Sequence, residues 1–335
     1  MQAPQAATPR RQDARAARPV LLESALKRKP ATLQPLLLRT PDGFDLRCAL
    51  ARPVETPRGT LVILPGRGDY IERHYETVEQ LLKRRFAVAI FDWRGQGLSQ
   101  RYSRNRLKGH VRSFADYETD LQTVMRDLVL PDMPAPYYAF AISMGGHILL
   151  KASFRHLWFE RGMLISPMVD LPPHPRRALL ERLARGGAWL GLSRAFFPVL
   201  PRRLMKPEDF ARNALTSDRK RFLREARFLQ DYPEVGIAMC PTFGWLRAAL
   251  NSIDELRATV AAGGEPRWPL YALAAARDAL VDAEALRRLV RQVGNIDATF
   301  LHKARHEITI ERNENQALMW RAFDSFFNVE EGGSR

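Results

Sequence analysis

Cysteine is almost absent from the 335-residue chain, which contains only Cys48 and Cys240. Two isolated cysteines provide neither a disulfide framework nor a metal-binding spacing, so a reducing compartment is the expected location. The chain also lacks any run near the ~18 apolar residues that a membrane-spanning helix needs, and its first residues lack the apolar core of a secretory signal. These absences favour a cytoplasmic protein.

Acidic residues are scarce relative to basic ones. The chain has 52 Lys and Arg residues against 37 Asp and Glu residues, which gives a formal net charge of +15 at pH 7. A surplus of this size indicates an anionic partner, either nucleic acid or an anionic membrane surface. The alternative is an arginine-rich composition that serves no partner.

The N-terminal residues differ in composition from the rest of the chain. Residues 1–33 are rich in Ala, Gln, Pro and Arg and show no apolar periodicity, so we predict a disordered basic tail there. A transit peptide is the alternative, because the stretch is rich in arginine and poor in acids. The remainder is long enough for one large domain, or for a domain with an insertion.

From residue 34 onward the pattern is that of an α/β protein. Two short apolar runs flank Asp42-Gly43, which predicts a β-hairpin. Buried strands are then predicted at residues 59–64, 86–91, 137–142, 163–166, 269–274 and 298–301. Helical segments separate most of them, and this alternation predicts a mostly parallel central sheet flanked by helices. In such a sheet the ligand lies at the carboxyl ends of the strands.

One long interval interrupts the alternation. Residues 171–234 begin with the proline-rich sequence Pro172-Pro173-His174-Pro175 and then show helical rather than strand patterns. We therefore predict a helical cap that is inserted over the ends of the sheet. The core is accordingly predicted in two parts, residues 34–170 and residues 235–335.

The stretch around Ser143 carries the clearest sign of chemistry. An apolar strand stops at Ser143, Gly145 and Gly146 follow, and a helical pattern then begins. A strand, a sharp turn and a helix form the context in which a serine becomes a nucleophile. The alternative is a buried strand with an ordinary glycine-rich turn, because short strings of this kind are common.

A nucleophilic serine needs a histidine that takes its proton and a carboxylate that orients the histidine. Both residue types follow later strands, because Asp278 comes after the strand at 269–274 and His306 after the last strand. The order Ser, Asp, His is that of the α/β hydrolases. We therefore predict a triad of Ser143, Asp278 and His306. Asp282 is the second candidate for the acid, and Asp278 is preferred because it lies nearer the strand end.

The negative charge that develops during acyl transfer needs two N–H donors. The backbone N–H of Met144 is one candidate, because it directly follows the serine at a helix N-terminus. The other is the backbone N–H of Arg67, in the loop after the first buried strand, where Gly66 permits a tight turn.

Five segments together resemble the α/β hydrolases of the monoacylglycerol lipase and bacterial lysophospholipase family. They are L-P-G-R-G-D-Y-I-E-R-H at 64–74, F-D-W-R-G-Q-G-L-S at 91–99, S-M-G-G-H at 143–147, R-D-A-L-V-D at 277–282 and A-R-H-E-I at 304–308. The resemblance implies the α/β-hydrolase fold, with a helical cap that shapes an acyl tunnel. It also implies a serine hydrolase of single-chain glycerolipids, with the triad and the two N–H donors at the positions predicted above.

Two positions depart from the family pattern. Members commonly have His-Gly in the oxyanion loop, where this chain has Pro65-Gly66. They also usually have Gly-His before the nucleophile, where this chain has Ala141-Ile142. Neither change removes a catalytic atom, although Ile142 removes a polar group near the serine. We expect these departures to bear on substrate preference.

The predicted cap concentrates the basic charge. Residues 171–206 contain eight Lys and Arg residues and one acidic residue, together with Trp189, Phe196, Phe197 and several leucines. Arginine with Trp and Phe on a short amphipathic segment is typical of a helix in a membrane interface. We therefore expect peripheral contact with an anionic membrane. The alternative is that the apolar residues pack onto the sheet and the arginines are solvated.

Three residues are predicted to bind substrate. They are Leu180 in the cap, with Phe243 and Trp245 in the sequence that follows it. Side chains of this kind suit the acyl chain of a lipid. The alternative is that they are part of the ordinary core.

Together these features predict a serine hydrolase that cleaves acyl esters of lysophospholipids or monoacylglycerols through an acyl-enzyme. The enzymatic alternative is a broad-specificity carboxylesterase or a peptidase on the same fold, and the non-enzymatic one is a basic nucleic-acid-binding protein. We expect no nucleic-acid partner, because the triad is complete and no RNA- or DNA-binding motif is present. No cofactor or metal is implied.

Overall fold

Eight strands form one sheet in the computed structural model, which describes residues 19–198 and 201–329. The strands are β1 (Gln34–Arg39), β2 (Asp45–Ala51), β3 (Thr60–Leu64), β4 (Ala87–Phe91), β5 (Tyr137–Ile142), β6 (Arg161–Ile165), β7 (Leu270–Ala275) and β8 (Ile296–Leu301). Their order across the sheet is β1-β2-β4-β3-β5-β6-β7-β8. β2 pairs antiparallel with β1 and with β4, and the pairs from β4 through β8 are parallel. The predicted α/β-hydrolase architecture with a mostly parallel sheet is confirmed.

Helices cover both faces of the sheet. They are α1 (Tyr75–Lys83), α2 (Phe114–Val124), α3 (Leu130–Asp132), α4 (Met144–Ser153), α5 (Arg177–Trp189), α6 (Arg219–Asp231), α7 (Phe243–Ala261), α8 (Ala283–Gln292) and α9 (Asn313–Phe326). A π-helical turn at Met125–Val129 joins α2 to α3, and 3-10 turns lie at Ile71–His74, Leu192–Arg194, Pro207–Arg212, Pro233–Val235 and Ile308–Ile310. None of the helices in the described part of the chain is long and apolar enough to cross a membrane.

The central strands β3 and β4 are buried along their whole length because helices cover them on both sides. Every residue of Thr60–Leu64 and of Ala87–Phe91 is buried, as expected for parallel strands between two helical layers. On one face, Phe140 of β5 packs against Phe323 of α9 with ring centroids 6.2 Å apart. On the other face, Ile148 of α4 belongs to the same buried cluster as the side chains of α2 and α8.

The parallel strands β3 to β8 all end at one edge of the sheet, and the candidate site residues follow three of them. Ser143 directly follows β5, while Asp278 and His306 lie in the loops after β7 and β8. In the strand register Ile142 pairs with Ile165, and Ile165 pairs with Leu273. The ends of β5, β6 and β7 are therefore level with one another, which brings the loops that follow them to a common edge.

The chain between β6 and β7 contains α5, α6 and α7 and contacts this carboxyl edge. The backbone N–H of His306 donates to the carbonyl of Ala214 at 3.3 Å, and that of Glu307 donates to Leu215 at 2.8 Å. The inserted chain thus lies directly against the histidine loop. The boundaries of the cap at 171–234 stay a prediction, and α7 beyond them packs against α5, where a Cβ at Gly187 would lie 2.5 Å from the Phe243 ring.

Of the predicted disordered tail over residues 1–33, residues 1–18 lie outside the described residues, whereas residues 19–33 are anchored to the fold. Leu33 is fully buried, and the buried ammonium group of Lys27 pairs with the carboxylate of Glu225 on α6. Leu22 donates its backbone N–H to Glu72 at 3.0 Å. These anchors are single residues whose partners are distant in the chain, so composition and periodicity did not indicate them.

Candidate active site

Ser143 lies in a sharp turn between β5 and α4. Its φ of 50° and ψ of −111° are unusual for a residue other than glycine, and backbone strain of this kind concentrates at functional sites. The backbone N–H of Ser143 donates to Ile165 at 2.9 Å, and its carbonyl accepts the N–H of Met168 at 3.0 Å. These bonds hold the strained turn, and the residue itself remains partly exposed.

Gly145 allows the first turn of α4 to approach the loop after β3. A Cβ at this position would lie 2.2 Å from the carbonyl oxygen of Leu64 and 2.6 Å from that of Pro65. Any larger residue would therefore push the helix away from the strand end. Gly66, in the same loop, lies so close that its Cβ would be 3.4 Å from the Cβ of Ser143. The loop that was predicted to supply an oxyanion donor is thus packed beside the serine.

His306 is oriented by Asp278. The Nδ1 atom of the ring lies 2.7 Å from Oδ2 of Asp278, and both side chains are buried. The other carboxylate oxygen accepts the backbone N–H groups of Leu280 at 2.7 Å and Val281 at 3.2 Å. Both oxygens of Asp278 are therefore engaged, and the arrangement fixes the tautomer and the direction of the histidine ring.

Asp282, the second candidate for the acid, has a different position. It is the N-cap of α8, where Oδ1 accepts the N–H groups of Glu284 at 2.9 Å and Ala285 at 3.1 Å. Its other oxygen lies 3.3 Å from the guanidinium group of Arg288. Both oxygens of Asp282 contact groups of α8, so this residue has a different role from Asp278.

The pKa of His306 is raised above its ordinary value. Burial alone favours the neutral ring, but the hydrogen bond and the charge of Asp278 outweigh burial, with additional contributions from Glu307 and Asp69. A raised pKa makes the ring a stronger base. A group that must take the proton of a serine hydroxyl needs this property.

The backbone N–H groups of the loop Pro65–Asp69 differ in whether they have an acceptor. The N–H of Gly66 donates to Oδ2 of Asp69 at 2.7 Å, and the N–H of Gly68 donates to Oε1 of Gln96. Pro65 has no N–H. Within residues 19–198 and 201–329, no group accepts the backbone N–H of Arg67. Met144 is the first residue of α4, so its N–H also lacks an acceptor within the helix.

Gln96 is the residue at this site that the sequence analysis missed. Its amide accepts from Gly68, and its Nε2 lies 3.5 Å from the hydroxyl of Tyr117 and 3.9 Å from the sulfur of Met144. It thus contacts both segments that carry the predicted oxyanion donors. Trp93, from the same loop, donates its indole N–H to Pro65 at 2.8 Å. The segment F-D-W-R-G-Q-G-L-S contributed to the family resemblance, but it did not indicate this role of Gln96.

Asp69 connects the loop after β3 to the histidine loop through buried charges. Arg73 lies 3.3 Å from one carboxylate oxygen of Asp69, and His74 lies 3.5 Å from the other. Burial opposes ionisation, but Arg73 and His74 outweigh it and hold the pKa of Asp69 at about 2. Arg73 also lies 3.5 Å from Glu307, the residue after His306. A charged Asp69 therefore supports both loops.

The three residues predicted to bind substrate fall into two groups. Leu180 and Phe243 pack with Phe197 in a small apolar cluster between α5 and α7. Trp245 belongs to the main core, where its ring lies 5.9 Å from that of Phe114. Their contact with a substrate stays a prediction.

Comparison with known proteins places this geometry in context. Residues 55–313 match the model of the Hydrolase_4 family, described as serine aminopeptidase, S33. Lysophospholipase L2 of Escherichia coli K12 is 29% identical over 285 residues, which cover 80% of each chain. Monoglyceride lipase of Mus musculus is 28% identical over 142 residues, 41% of this chain and 44% of the mouse protein.

A solved structure confirms the fold. A soluble variant of monoglyceride lipase from Saccharomyces cerevisiae, in complex with a substrate analogue, superposes with a TM-score of 0.69 at 17% identity, over 88% of this chain and 96% of that chain. The predicted resemblance is therefore confirmed, and the named relatives support a carboxylic ester hydrolase. Because the family model matches most of its length, the chain belongs to the Hydrolase_4 family of α/β hydrolases.

Proposed function

We propose that this protein is a serine hydrolase that cleaves acyl esters of lysophospholipids or monoacylglycerols through an acyl-enzyme on Ser143. The observation that carries the proposal is the arrangement at one sheet edge, where a strained serine turn lies level with the strand that precedes the Asp278 loop. In that arrangement His306 is bonded to Asp278 at 2.7 Å, and the backbone N–H of Arg67, in the loop beside the serine, has no acceptor among the described residues.

Each residue has a defined role in the proposed reaction. His306 takes the proton of the Ser143 hydroxyl as the oxygen attacks the ester carbonyl, and Asp278 stabilises the imidazolium ion. The carbonyl oxygen becomes an oxyanion, to which the backbone N–H groups of Arg67 and Met144 donate. The histidine then protonates the leaving glycerol oxygen. In the second half, water takes the place of the glycerol and releases the fatty acid from the serine.

The substrate class rests on two lines of support. Relatives named lysophospholipase L2 and monoglyceride lipase act on lipids with one acyl chain. The apolar cluster of Leu180, Phe197 and Phe243 between α5 and α7 provides side chains suited to an acyl chain. The family description includes an aminopeptidase, so peptide cleavage is the second candidate and belongs in the same test.

We expect purified protein to hydrolyse 1-acyl lysophospholipids or monoacylglycerols faster than aminoacyl nitroanilides. Ser143→Ala should abolish ester hydrolysis and labelling by a fluorophosphonate while leaving the thermal unfolding midpoint unchanged. Intact-mass spectrometry of labelled wild-type protein should locate one adduct on Ser143. Full labelling of the Ser143→Ala variant would contradict the assignment, and a preference for the nitroanilides would favour the peptidase.

The two aspartates after β7 provide a matched pair of variants. Asp278→Asn should lower kcat by a factor of up to ~10⁴, because the histidine would lose the carboxylate that sets its tautomer. Asp282→Asn should leave kcat nearly unchanged and should alter stability by about 1 kcal/mol or less, because Asn is also a good N-cap residue. Steady-state kinetics and urea unfolding measure both effects. The reverse pattern would identify Asp282 as the catalytic acid.

The surface of α5 supports peripheral membrane contact as part of this proposal. Leu179, Leu183 and Leu190 lie at helical spacing and are 53%, 51% and 69% exposed, and Trp189 is 82% exposed. On the opposite side, Ala184 is fully buried. An exposed apolar stripe beside arginines is suited to an anionic bilayer surface. A cytoplasmic location also remains a prediction.

The structure changes which residues a membrane test should use. Phe197, predicted as an apolar anchor, is 2% exposed and packs inside the protein. Arg177 and Arg185 form ion pairs with Asp170 and Asp254, so they hold α5 in place. Arg176 and Arg182 are exposed and form no ion pair within the described residues, which leaves them available for a lipid headgroup.

Two sets of substitutions separate the charged and apolar contributions to vesicle binding. Arg176→Gln with Arg182→Gln should weaken binding to anionic vesicles by up to about tenfold and reduce its salt dependence. Leu179→Ser with Leu183→Ser and Trp189→Ser should weaken binding to all vesicles. Leu157→Ser, at a residue 73% exposed outside α5, is the control. Sedimentation with vesicles measures binding, and unchanged binding in both sets would show that α5 does not dock.

A further inference from the structure

The guanidinium group of Arg67 has no acidic partner. It donates to the carbonyls of Ala238, Met239 and Cys240, each at 3.3 Å, and it lies 4.9 Å from the ring centroid of Trp245. Its Nε has no hydrogen-bond partner, and within residues 19–198 and 201–329 no carboxylate forms an ion pair with it. Burial lowers the pKa of Arg67 to about 10, still well above neutral pH, so the group is cationic.

Two more arginines contact the same stretch of chain as Arg67, although the charge of Asp92 acts on both and that of Glu234 on one. Arg101 and Arg106 donate to backbone carbonyls at residues 234–236, just before the residues that Arg67 contacts. Neither forms an ion pair in the described part of the protein. Nearby His110 has its pKa lowered to about 4 by burial and then by four cations, which are Arg194, Lys108, Arg112 and Arg247. None of these four forms an ion pair among the described residues either.

By contrast, the arginines that are almost fully buried in the described residues are paired with acids. Arg47 contacts Glu72 and Asp92, and Arg94 contacts Asp42 and Asp120. Leaving a desolvated charge without a counter-charge is costly. Contacts of 3.3 Å to neutral carbonyls are long for hydrogen bonds and leave the guanidinium poorly satisfied. An anion from outside the chain would provide the missing counter-charge.

We propose that Arg67 binds the phosphate of the substrate, so that the enzyme prefers phosphate-bearing lysophospholipids to neutral monoacylglycerols. This proposal rests on the proposed function and extends it to the headgroup. Residue 67 would then act twice on one substrate, with its backbone N–H donating to the ester oxygen and its side chain to the phosphate. A guanidinium group suits this role, because its fork of N–H donors matches two phosphate oxygens.

The same charges argue against the peptidase candidate. An aminopeptidase must bind the protonated amino group at the end of a peptide, and an ammonium group requires an acidic partner or several carbonyl acceptors. The guanidinium of Arg67 would repel that group. This charge therefore favours an anionic leaving group over a cationic substrate.

The test uses substitutions at Arg67, since every variant keeps the backbone N–H at this position. Arg67→Met should lower kcat/KM for a 1-acyl lysophosphatidylglycerol by about 10- to 100-fold, the range for loss of a hydrogen bond to a charged group. The ratio of kcat/KM for this lipid to kcat/KM for the monoacylglycerol of the same acyl chain should fall by about the same factor. Arg67→Lys should give an intermediate value, because it keeps the charge and loses the fork. Arg126→Met, at an exposed residue that pairs only with Asp127, is the control.

A second measurement keeps the proposal testable without lipid hydrolysis. sn-Glycerol 3-phosphate should inhibit hydrolysis of a short nitrophenyl ester competitively in the wild type and much less in Arg67→Met. Inhibition of this kind, without hydrolysis of either lipid, would support the phosphate site and contradict the proposed lipid substrate. An equal loss of activity on both lipids, or inhibition unchanged by the substitution, would show that Arg67 only fastens the loop to residues 238–240 and would overturn the proposal.

Discussion

Residues 66–68 lie at the end of β3 beside Ser143, and the site depends on which acceptors their backbone N–H groups have. Asp69 accepts the N–H of Gly66 and Gln96 accepts that of Gly68, so the intervening N–H of Arg67 is the one left for a ligand. Buried N–H groups are almost always paired. We propose that the free N–H of Arg67, between two fixed neighbours, is held ready for the charge that develops in acyl transfer, with no reorganisation during the reaction.

The acceptors that hold this loop are themselves held by buried charges and by packing. Asp69 is kept ionised by Arg73 and His74. Gln96 is buried in the loop after β4, where Asp92 and Arg94, which precede it, form buried ion pairs with Arg47 and Asp120. Gly145 has a complementary role, because it allows α4 to approach the same loop. The chemistry at the sheet edge is thus a consequence of how the segments after β3, β4 and β5 fit together.

Much of the site could be predicted from the sequence because its local signals coincide with its geometry. The strand that stops at Ser143 does form a strained turn, and the preference for Asp278 over Asp282 agrees with the observed contact to His306. The end of a strand can be predicted from the local sequence, and the carboxyl ends of parallel strands lie at the same edge of the sheet. Gln96 could not be assigned in this way, because its acceptor role depends on a contact with Gly68, 28 residues earlier in the chain.

Tertiary contacts also explain where the predictions from composition were wrong or incomplete. Residues 19–33 look like a polar tail, yet Lys27 finds a buried carboxylate on α6 and fixes the segment. The basic residues of the cap do not behave alike, since Arg177 and Arg185 are used in ion pairs. Counts of charge cannot distinguish a paired arginine from an unpaired one. That distinction separates Arg176 and Arg182 from Arg177 and Arg185.

The most direct test of this account is the affinity of a trifluoromethyl ketone, which forms a tetrahedral adduct with a catalytic serine. Gln96→Met keeps the volume of the side chain and removes the acceptor for Gly68, so the N–H of Arg67 should lose its fixed direction. We expect the inhibition constant to rise and kcat to fall together by about 10- to 100-fold, somewhat less than complete loss of an oxyanion donor would cause. Gln100→Met is the matched control, because Gln100 accepts the N–H of Asp45 instead. An inhibition constant and a kcat equal to those of the wild type, in a Gln96→Met protein with an unchanged unfolding midpoint, would contradict the account.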